Sequence, residues 1–342
     1  MRRRRVLVLM HHDLVPPDSI EGLTPQEIHP FAMEYDVLHA LAELGHETRG
    51  LGVQDELAPI REAIEDFHPH VVFNLLMHFH GVGIYDAYVV SYLELLRTAY
   101  TGCNPRGLLL ANDKAVAKTL LSYHRIPTPR FFVVRRGRVP RPPRSLVWPL
   151  FVKSAAEHSS TGIAQASVVH DEASLAERVA FVHESVGTDA IVEEYVDGRE
   201  LNVSVLGNRR LRTFPVWELR FTRLPEGSEP IATSRVKWDL KYQERIGIEN
   251  GPADALPEGV EARLQHLARR VYRVLGLSGF ARIDFRLAPD GRIVVLEANP
   301  NPDLCHDEDF ADAAKADGLA YPELLERLLG LGLRYAAPWK EA

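Results

Sequence analysis

Apolar runs and helix-spaced apolar stripes alternate along the N-terminal part of the chain. Residues 6–10 and 71–76 are continuous apolar runs, as expected for strands covered on both faces. Apolar residues at helical spacing over 37–44 precede a glycine, which predicts a helix and its C-terminal cap. Residues 89–102 predict a second helix followed by a strand end. This alternation predicts a parallel α/β domain over residues 1–105.

The same criteria divide the rest of the chain into two further units. Residues 106–190 begin with a helical stretch and continue with a strand and a helix over 151–186, which predicts a central unit. Residues 191–342 are rich in predicted strands and contain one long predicted helix. Within them, segment 218–256 is polar, charged and weakly periodic. A stretch that long inside a compact domain is usually functional, so we predict that it is a lid loop.

Composition narrows the class of protein. The chain has 342 residues, 46% hydrophobic and 25% charged, which is enough for two or three packed domains. The formal net charge of −7 argues against nucleic-acid binding through bulk positive charge. Two cysteines are too few for a disulfide framework or a cysteine-based zinc site. The apolar run after the arginines at 2–5 is too short for a signal peptide, and no segment reaches membrane-spanning length. We therefore expect a cytoplasmic protein without a membrane partner.

A predicted hairpin in the C-terminal unit carries the most informative pattern. The dipeptide Asp290-Gly291 is a strong signal for a two-residue hairpin loop. With that loop, Asp284 lies opposite Glu297. Arg282 lies opposite Asn299 in the same register, and strand alternation puts all four side chains on one face. The other face is predicted to be an apolar core face of Ala281, Ile283, Phe285, Val294, Leu296 and Ala298.

The polar face of this hairpin suits a metal ion. Facing carboxylates on adjacent strands repel each other unless a cation lies between them. The oxygen ligands of Asp284, Glu297 and Asn299 suit Mg²⁺, which takes one or two carboxylates and fills its shell with substrate phosphates. The alternative is an exposed hairpin whose acids are neutralised by Arg282 and Arg286.

A lysine at a strand end precedes a small polar loop. Residues 154–163 include Ser159 and Ser160, and backbone N–H groups together with the charge of Lys153 suit a phosphate group. The loop lacks the Gly-x4-Gly-Lys-Ser/Thr pattern and is therefore not a P-loop. The alternative is a serine-rich loop without a ligand.

In this order, the segments resemble the ATP-grasp superfamily and, within it, the D-alanine–D-alanine ligase branch. The resemblance covers nearly the whole chain, including the motifs Asn112-Asp113-Lys114, Val152-Lys153, Ser159-Ser160-Thr161-Gly162 and Trp238-Asp239-Leu240-Lys241-Tyr242 and residues 191–200. It implies an α/β ATP-grasp fold behind an N-terminal parallel α/β domain. It also implies ATP and two Mg²⁺ ions, which Mn²⁺ can replace, and a homodimer through the N-terminal domain.

The resemblance implies a role for each matching residue. Glu193 would accept a hydrogen bond from the adenine amino group, Val196 would offer its backbone to the ring, and Glu200 would hold the ribose hydroxyls. The ATP-binding set is Lys114, Lys153, Ser159, Ser160, Glu193, Val196, Glu200 and Lys241. The implied metal ligands are Asp284, Glu297 and Asn299, and the implied catalytic residues are Arg282, Lys241 and Ser159.

The implied reaction is carboxylate–amine ligation. A carboxylate attacks the γ-phosphate of ATP, and an amine captures the acyl phosphate. Glu34 would orient the ammonium of the first substrate, although it also suits a helix start. His78 and His80 have no third ligand at a recognisable spacing, so we expect them to line the substrate cleft, or to be core residues with satisfied hydrogen bonds, rather than to bind zinc. The implied substrate residues are Glu34, His80, Arg282 and Asp303.

The amine side departs from the family pattern. D-Ala–D-Ala ligases have Pro-Gly and a downstream serine for the carboxylate of the second D-alanine, whereas Pro302 is followed by Asp303 and an acidic segment to residue 309. Acids there would repel a carboxylate, so we expect an amino acid, small carboxylate or peptide joined to an amine other than D-alanine. The acids would also cap a helix starting near Phe310. The alternative functions are D-Ala–D-Ala ligation and non-catalytic, regulatory ATP binding.

Overall fold

The first sheet is parallel and has three strands. The computed structural model describes residues 3–156 and 160–341. The strand order is β2-β1-β3, and Tyr100 adds one parallel bridge to Val72. The edge strand β2 is polar, rich in glycine and half-exposed, so its sequence pattern does not predict a strand. The elements are β1 (Arg5–His11), β2 (Glu47–Val53) and β3 (Val71–Asn74), with helices α1 (Pro25–Ile28), α2 (Ala32–Glu43), α3 (Ala58–Phe67) and α4 (Asp86–Leu95).

The second sheet is antiparallel, with strand order β4-β7-β5-β6. Asp113 ends one helix and begins the next, since its carboxylate accepts a hydrogen bond from the backbone N–H of Val116 at 2.9 Å. This cap fixes the first turn of α6, where Lys114 lies. The elements are α5 (Pro105–Asn112), α6 (Lys114–Tyr123), β4 (Phe131–Val134), β5 (Leu150–Ser154), β6 (Val168–Val169), α7 (Glu172–Phe181) and β7 (Ala190–Glu194).

The third sheet is also antiparallel, in the order β11-β10-β8-β12-β13, with a short β9 on β8. The predicted lid segment 218–256 is not one continuous loop, because β10 and β11 pair with each other across its ends. Residues 222–247 remain between these two strands and contain two short helices. The elements are β8 (Arg199–Leu206), β9 (Arg212–Thr213), β10 (Trp217–Phe221), α8 (Ser234–Trp238), α9 (Leu240–Ile246), β11 (Ile248–Pro252), α10 (Val260–Val274), β12 (Phe280–Leu287) and β13 (Ile293–Pro300).

The C-terminal helices return to the first sheet. They are α11 (Asp309–Ala316), α12 (Tyr321–Arg334) and α13 (Pro338–Glu341), and α12 packs against α2 and β3. A Cβ at Gly332 of α12 would lie 2.3 Å from the carbonyl oxygen of Tyr100, so only glycine permits this approach. One core cluster joins α12 to the first sheet, with Val6, Val8, Val37, Phe73, Leu324, Leu325, Leu328 and Leu329.

These features confirm the predicted α/β fold class. In the part of the chain that the structure describes, no helix has the length and apolarity needed to cross a membrane.

Candidate active site

The β12–β13 hairpin brings two carboxylates face to face. Asp284 pairs with Glu297 and Arg282 pairs with Asn299, as predicted. The loop, however, has three residues rather than two, because the backbone N–H of Ala288 donates to the carbonyl of Arg292 at 2.9 Å. A β-bulge after Asp284 shifts the register by one residue and compensates for the longer loop. The longer loop and the bulge therefore cancel, and the predicted pairs on the polar face are preserved.

The bulge moves one residue out of the core. The predicted apolar face includes Leu296, and this prediction is wrong: Val295 is fully buried in the core instead. Leu296 lines a cleft, and its carbonyl accepts a hydrogen bond from Lys118 Nζ at 3.0 Å. The extra residue thus offers a backbone oxygen to the site.

Arg282 lies between two carboxylates. Its Nε and Nη2 donate to the two carboxylate oxygens of Asp284 at 2.8 and 3.1 Å, and its Nη1 donates to Asp309 at 3.2 Å. Asn299 Nδ2 donates to the same Asp284 carboxylate at 2.7 Å. Burial opposes the charge of Arg282, but Asp284 and Asp309 outweigh burial and raise its pKa. Burial also raises the pKa of Asp284, and Arg282 opposes that rise.

The donor set of this face fits a hard cation. Asp284 and Glu297 offer carboxylate oxygens, and Asn299 offers an amide oxygen, which are ligands that Mg²⁺ prefers. Among the described residues, no group of three or more His, Cys, Asp or Glu side chains is arranged to hold a metal. A metal here would therefore rely on two carboxylates, an amide and oxygens supplied by a substrate.

Two buried lysines approach the same carboxylate. Lys114 Nζ lies 3.6 Å and Lys153 Nζ 3.7 Å from Oε2 of Glu297, and both lysines are less than 10% exposed. Burial lowers the pKa of Lys114. Burial also acts on Lys153, but Glu193 and Glu297 outweigh it and raise the pKa of that amine. These two charges beside the polar hairpin face suit phosphate oxygens.

A third buried lysine, Lys118, has no role among those predicted from the sequence. Lys118 Nζ lies 3.3 Å from Oε2 of Glu193 and donates to Thr128 Oγ1 at 3.0 Å. Burial lowers its pKa to about 8. Its spacing of four residues from Lys114 could have identified it from the sequence, because this spacing puts both side chains on one face of α6.

Eight of the predicted residues line one cleft. At one end, Glu200 accepts a hydrogen bond from Arg286 Nη2 at 2.9 Å. Burial raises the pKa of Glu200, and Arg286 opposes the rise. Arg286 thus pairs with Glu200 and does not neutralise the hairpin acids, as the exposed-hairpin alternative required. The eight residues are Lys153, Ser160, Glu193, Val196, Glu200, Arg282, Asp284 and Glu297.

The polar loop after β5 contacts the segment between β10 and β11. Ser159 lies outside the described residues. The hydroxyl of Ser234, at the start of α8, donates to the carbonyl of Ser160, and the backbone N–H of Ser234 donates to Ile163 at 3.0 Å. The loop, through Ser160 and Ile163, and the residues just before α8, Ile231 and Ala232, therefore form one wall of the cleft.

This wall carries two lysines in different environments. Lys241 on α9 is exposed, and the described residues that line the cleft do not include it. Lys237 on α8 is accessible to solvent, yet it lies near enough to Arg282, Asp303 and Glu308 for their charges to act on it. Partial burial, followed by the charge of Arg282, lowers the pKa of Lys237. Lys237, which also does not line the cleft among the described residues, is therefore the lysine on which the charges of the polar hairpin act.

The predicted substrate residues do not all lie in one site. Glu34 on α2 is 1% exposed, and its pKa is raised to about 7, first by burial and further by nearby Asp303. His80 lies exposed in a loop, where its backbone N–H donates to the carbonyl of Gln54 at 2.7 Å. The structure thus brings Glu34 towards Asp303 but gives His80 no described contact with either.

The acidic segment lies at the start of a helix, as predicted. Helix α11 begins at Asp309, close to the prediction, and Glu308 occupies the N-cap position without making a capping hydrogen bond to the described backbone. The Asp309 carboxylate instead accepts hydrogen bonds from Arg282, Asn202 and Asn250. Asp303 accepts from the backbone N–H of Cys305 at 2.8 Å. Asp309 thus lies in the first turn of α11, where the helix dipole favours a negative charge, and its carboxylate also binds Arg282.

Comparison with protein families and curated proteins places this geometry in context. The family model described as "D-ala D-ala ligase C-terminus" matches residues 120–330. A protein of Sinorhizobium fredii named "Uncharacterized protein y4sG" is 32% identical over 310 residues, covering 87% of this chain and 86% of that protein. The D-alanine–D-alanine ligase of Syntrophotalea carbinolica is 33% identical over 306 residues, covering 87% and 90%. That of Desulforudis audaxviator is 30% identical over 299 residues, covering 86% and 90%.

Solved structures share the fold. The D-alanine–D-alanine ligase of Bacillus anthracis complexed with ATP superposes with a TM-score of 0.74 at 20% identity, covering 97% of this chain and 98% of that one. The VanG D-Ala:D-Ser ligase of Enterococcus faecalis gives a TM-score of 0.68 at 21% identity, covering 97% and 100%. The similarity extends over the whole architecture and includes the sheets that carry the cleft.

Proposed function

Because this chain belongs to the D-alanine–D-alanine ligase family, whose members are ATP-grasp enzymes that form C–N bonds and release ADP and phosphate, we propose that it activates an amino-acid carboxylate as an acyl phosphate and transfers the acyl group to an amine. One observation carries the proposal. The facing carboxylates of Asp284 and Glu297 share a cleft with Arg282 and with the nucleotide-binding candidates Lys153 and Glu193.

Two versions of the substrate pair compete. The names of the two curated ligase relatives support D-alanine as both acid and amine. This version has better support than the amine other than D-alanine that the sequence led us to expect. Asp303 and Glu308 favour the second version, because negative side chains on the amine side oppose a substrate carboxylate. Non-catalytic ATP binding is left without support, since the family consists of ligases.

In the proposed reaction, positively charged side chains neutralise the negative charge on the transferred phosphate and then on the carbonyl oxygen. A carboxylate oxygen attacks the γ-phosphorus and the bond to ADP breaks, which leaves an acyl phosphate. The amine nitrogen then bonds to the carbonyl carbon, loses a proton, and inorganic phosphate departs. Lys114 and Lys153 would bind phosphate oxygens, and Arg282 would stabilise the acyl phosphate and the oxyanion that follows.

The adenosine part would use the opposite end of the cleft. Glu193 is held between Lys118 and Lys153, so its carboxylate has a fixed position from which to accept the adenine amino group. Glu200 would accept from the ribose hydroxyls while Arg286 holds it. Val196 would offer its backbone to the ring, and Ser160 with its neighbour Ser159 would close over the phosphates.

Asp284, Glu297 and Asn299 would hold the metal. Mg²⁺, when bound there with ATP, supplies positive charge to the phosphate oxygens. Two ions, with Mn²⁺ as a substitute, remain part of the proposal, as do a cytoplasmic location and a homodimer through the N-terminal domain. Sedimentation of the purified chain tests the dimer.

Hydroxylamine trapping tests the proposed function most directly. With Mg·ATP, D-alanine and hydroxylamine, we expect ADP and D-alanine hydroxamate in equal amounts, because hydroxylamine captures an acyl phosphate whatever the natural amine is. ADP release that depends on D-alanine alone would favour the D-Ala–D-Ala version. If no amino acid of either hand yields a hydroxamate, the proposed function is wrong.

A further inference from the structure

Unpartnered polar groups converge where the segment after β13 meets α2. Oε1 of Glu34 is buried without a hydrogen-bond partner among the described residues, and so is the hydroxyl of Tyr321. Glu34 is 1% and Tyr321 8% exposed. Asp303 acts electrostatically on both groups, which places them around the same carboxylate.

The wall of this site is built from two distant parts of the chain. The backbone N–H of His306 donates to the carboxylate of Asp36 on α2 at 2.9 Å. The His306 ring packs edge-on against Tyr321, with 5.2 Å between ring centroids. These contacts fix the acidic segment against α2, so the carboxylates are held together rather than free to separate.

Glu308 completes the negative side of the site. It is accessible to solvent, and its pKa is raised to about 7 by partial burial and by Asp303 and Asp309. Lys237 acts on both Asp303 and Glu308, and Arg282 also acts on Glu308. Three carboxyl groups against Lys237 leave a surplus of acidic groups, since Arg282 is already paired with Asp284 and Asp309, and a bound cation would favour the ionised forms of Glu34 and Glu308.

We propose that Glu34, Asp303 and Glu308 bind a second, non-reacting positive charge on the amine substrate, so that the amine is of the short-diamine class and carries no carboxylate. Glu34 would then serve the amine and not, as the resemblance implied, the ammonium of the first substrate. This inference rests on the proposed function and specifies the second version of its substrate pair. A diamine would supply the counter-charge and hydrogen-bond donors for the free oxygen of Glu34. D-Alanine as acceptor would instead place its own carboxylate beside these three carboxylates, which would repel it.

Chain-length-matched amines test the proposal with the unaltered enzyme. D-Alanine is the acyl donor, and 1,4-diaminobutane, n-butylamine and D-alanine are compared as acceptors by ADP release and by mass of the amide. We expect a KM for the diamine at least tenfold below those of n-butylamine and D-alanine. D-Alanine as the best acceptor, or equal KM values for the two chain-matched amines, would overturn it.

Substitutions at Asp303 and Glu308 test whether these carboxylates contact the second positive charge of the amine. Glu308→Gln and Asp303→Asn should each raise the KM for the diamine about tenfold and leave that for n-butylamine within twofold. Asp307→Asn is the matched control, because Asp307 lies on the same segment but its side chain is 88% exposed and pairs with the His306 ring. An equal change for both amines would argue against a charge contact. If either variant does not fold by circular dichroism, the comparison of acceptors in the unaltered enzyme still decides.

The hydroxamate assay separates the two levels of inference. Hydroxamate formation together with a preference for D-alanine would keep the proposed function and reject the cation site. If no hydroxamate forms, titration calorimetry of 1,4-diaminobutane and n-butylamine into the protein with a non-hydrolysable ATP analogue decides the cation site alone. Tighter binding of the diamine by tenfold, lost in Glu308→Gln, would support it; equal binding would reject it.

Discussion

The side-chain nitrogen of Lys118 lies 3.3 Å from Oε2 of Glu193, and both side chains are at most 3% exposed. Lys153 approaches the other carboxylate oxygen at 3.4 Å. Lys118 also holds the carbonyl of the bulged residue Leu296. A single buried lysine therefore fixes a carboxylate and a backbone oxygen on two sides of the proposed adenine position.

Removing Lys118 should weaken ATP binding more than chemistry. In Lys118→Met, Glu193 keeps only Lys153 and loses its orientation, so we expect the KM for ATP to rise at least tenfold, about 1.4 kcal/mol, with a smaller change in kcat. Steady-state ADP release measures both. Lys315→Met, at an exposed lysine, is the control. An unchanged KM for ATP in a folded Lys118→Met protein would contradict this role.

Neutralising the hairpin carboxylates should alter the dependence on Mg²⁺. Glu297→Gln and Asp284→Asn each remove one negative ligand, so we expect kcat to fall on the order of a hundredfold and the Mg²⁺ concentration for half-maximal rate to rise. Titrating Mg²⁺ at fixed ATP measures the shift. Asp290→Asn, in the exposed loop of the same hairpin, should behave like the unaltered enzyme. An unaltered Mg²⁺ profile in Glu297→Gln would exclude that residue as a ligand.

Glu200 should discriminate between ribose and deoxyribose. A carboxylate that accepts from ribose hydroxyls favours ATP over 2′-deoxy-ATP, and Glu200→Gln should shrink that preference several-fold. Arg286→Met should have a similar effect, because it leaves the partly buried Glu200 without its 2.9 Å partner. The ratio of kcat/KM for the two nucleotides is the measurement, with Glu249→Gln at an exposed position as control. A ratio that stays constant in Glu200→Gln would remove the ribose role.

The two lysines on the wall of the cleft form a matched pair. Both lysines are exposed, but the charges of Arg282 and the acidic segment act on Lys237. We expect Lys237→Met to lower kcat at least tenfold and Lys241→Met to change it by less than threefold. The resemblance to the ligase family favours the reverse order. A comparison of the two variants in ADP release decides which lysine approaches the phosphate.

A buried aspartate should make stability depend on pH. Asp86 is 8% exposed, burial raises its pKa to about 7, and its carboxylate accepts hydrogen bonds from Ala87 and Asn112. Because the folded state holds this proton more tightly than the unfolded state, the free energy of unfolding should fall as pH rises from about 4 to about 7. The loss is at most about 4 kcal/mol.

Asp86→Asn isolates this contribution. The amide keeps the shape and carries no charge, so the variant should match the unaltered protein near pH 4 and exceed its stability at pH 8. Urea midpoints across that range measure the difference. Asp18→Asn, at an exposed residue, should show the same pH profile as the unaltered protein. Parallel profiles for Asp86→Asn and the unaltered protein would refute the raised pKa.

Alternation and turn chemistry were enough to predict the polar face of the hairpin. The facing pairs follow from the strand period alone, yet the loop length was wrong by one residue. The prediction survived because the bulge after Asp284 compensates, and it failed at Leu296, where no compensation applies. A bulge depends on contacts from elsewhere, here Lys118 from α6 and the carbonyl of Pro127, and local pattern does not contain them.

Other features depend on distant contacts in the same way. Lys118 has the sequence context of a surface helix, and only the packing of α6 onto β13 buries it. The strands at 217–221 and 248–252 lie in a polar stretch because 248–252 is the edge strand, with three exposed residues, and residues 219–221 are only partly buried. The proximity of Glu34 to Asp303 joins residues far apart in the sequence, which periodicity does not report.

The docking of α12 onto the first sheet has a consequence for synthesis. Val6 and Val8 leave the ribosome long before the leucines at 324, 325, 328 and 329 that complete their core. The first sheet therefore waits, with one apolar face covered only in part by α2, until α12 has emerged. A truncation before residue 321 would remove α12 and leave the first sheet without a finished core.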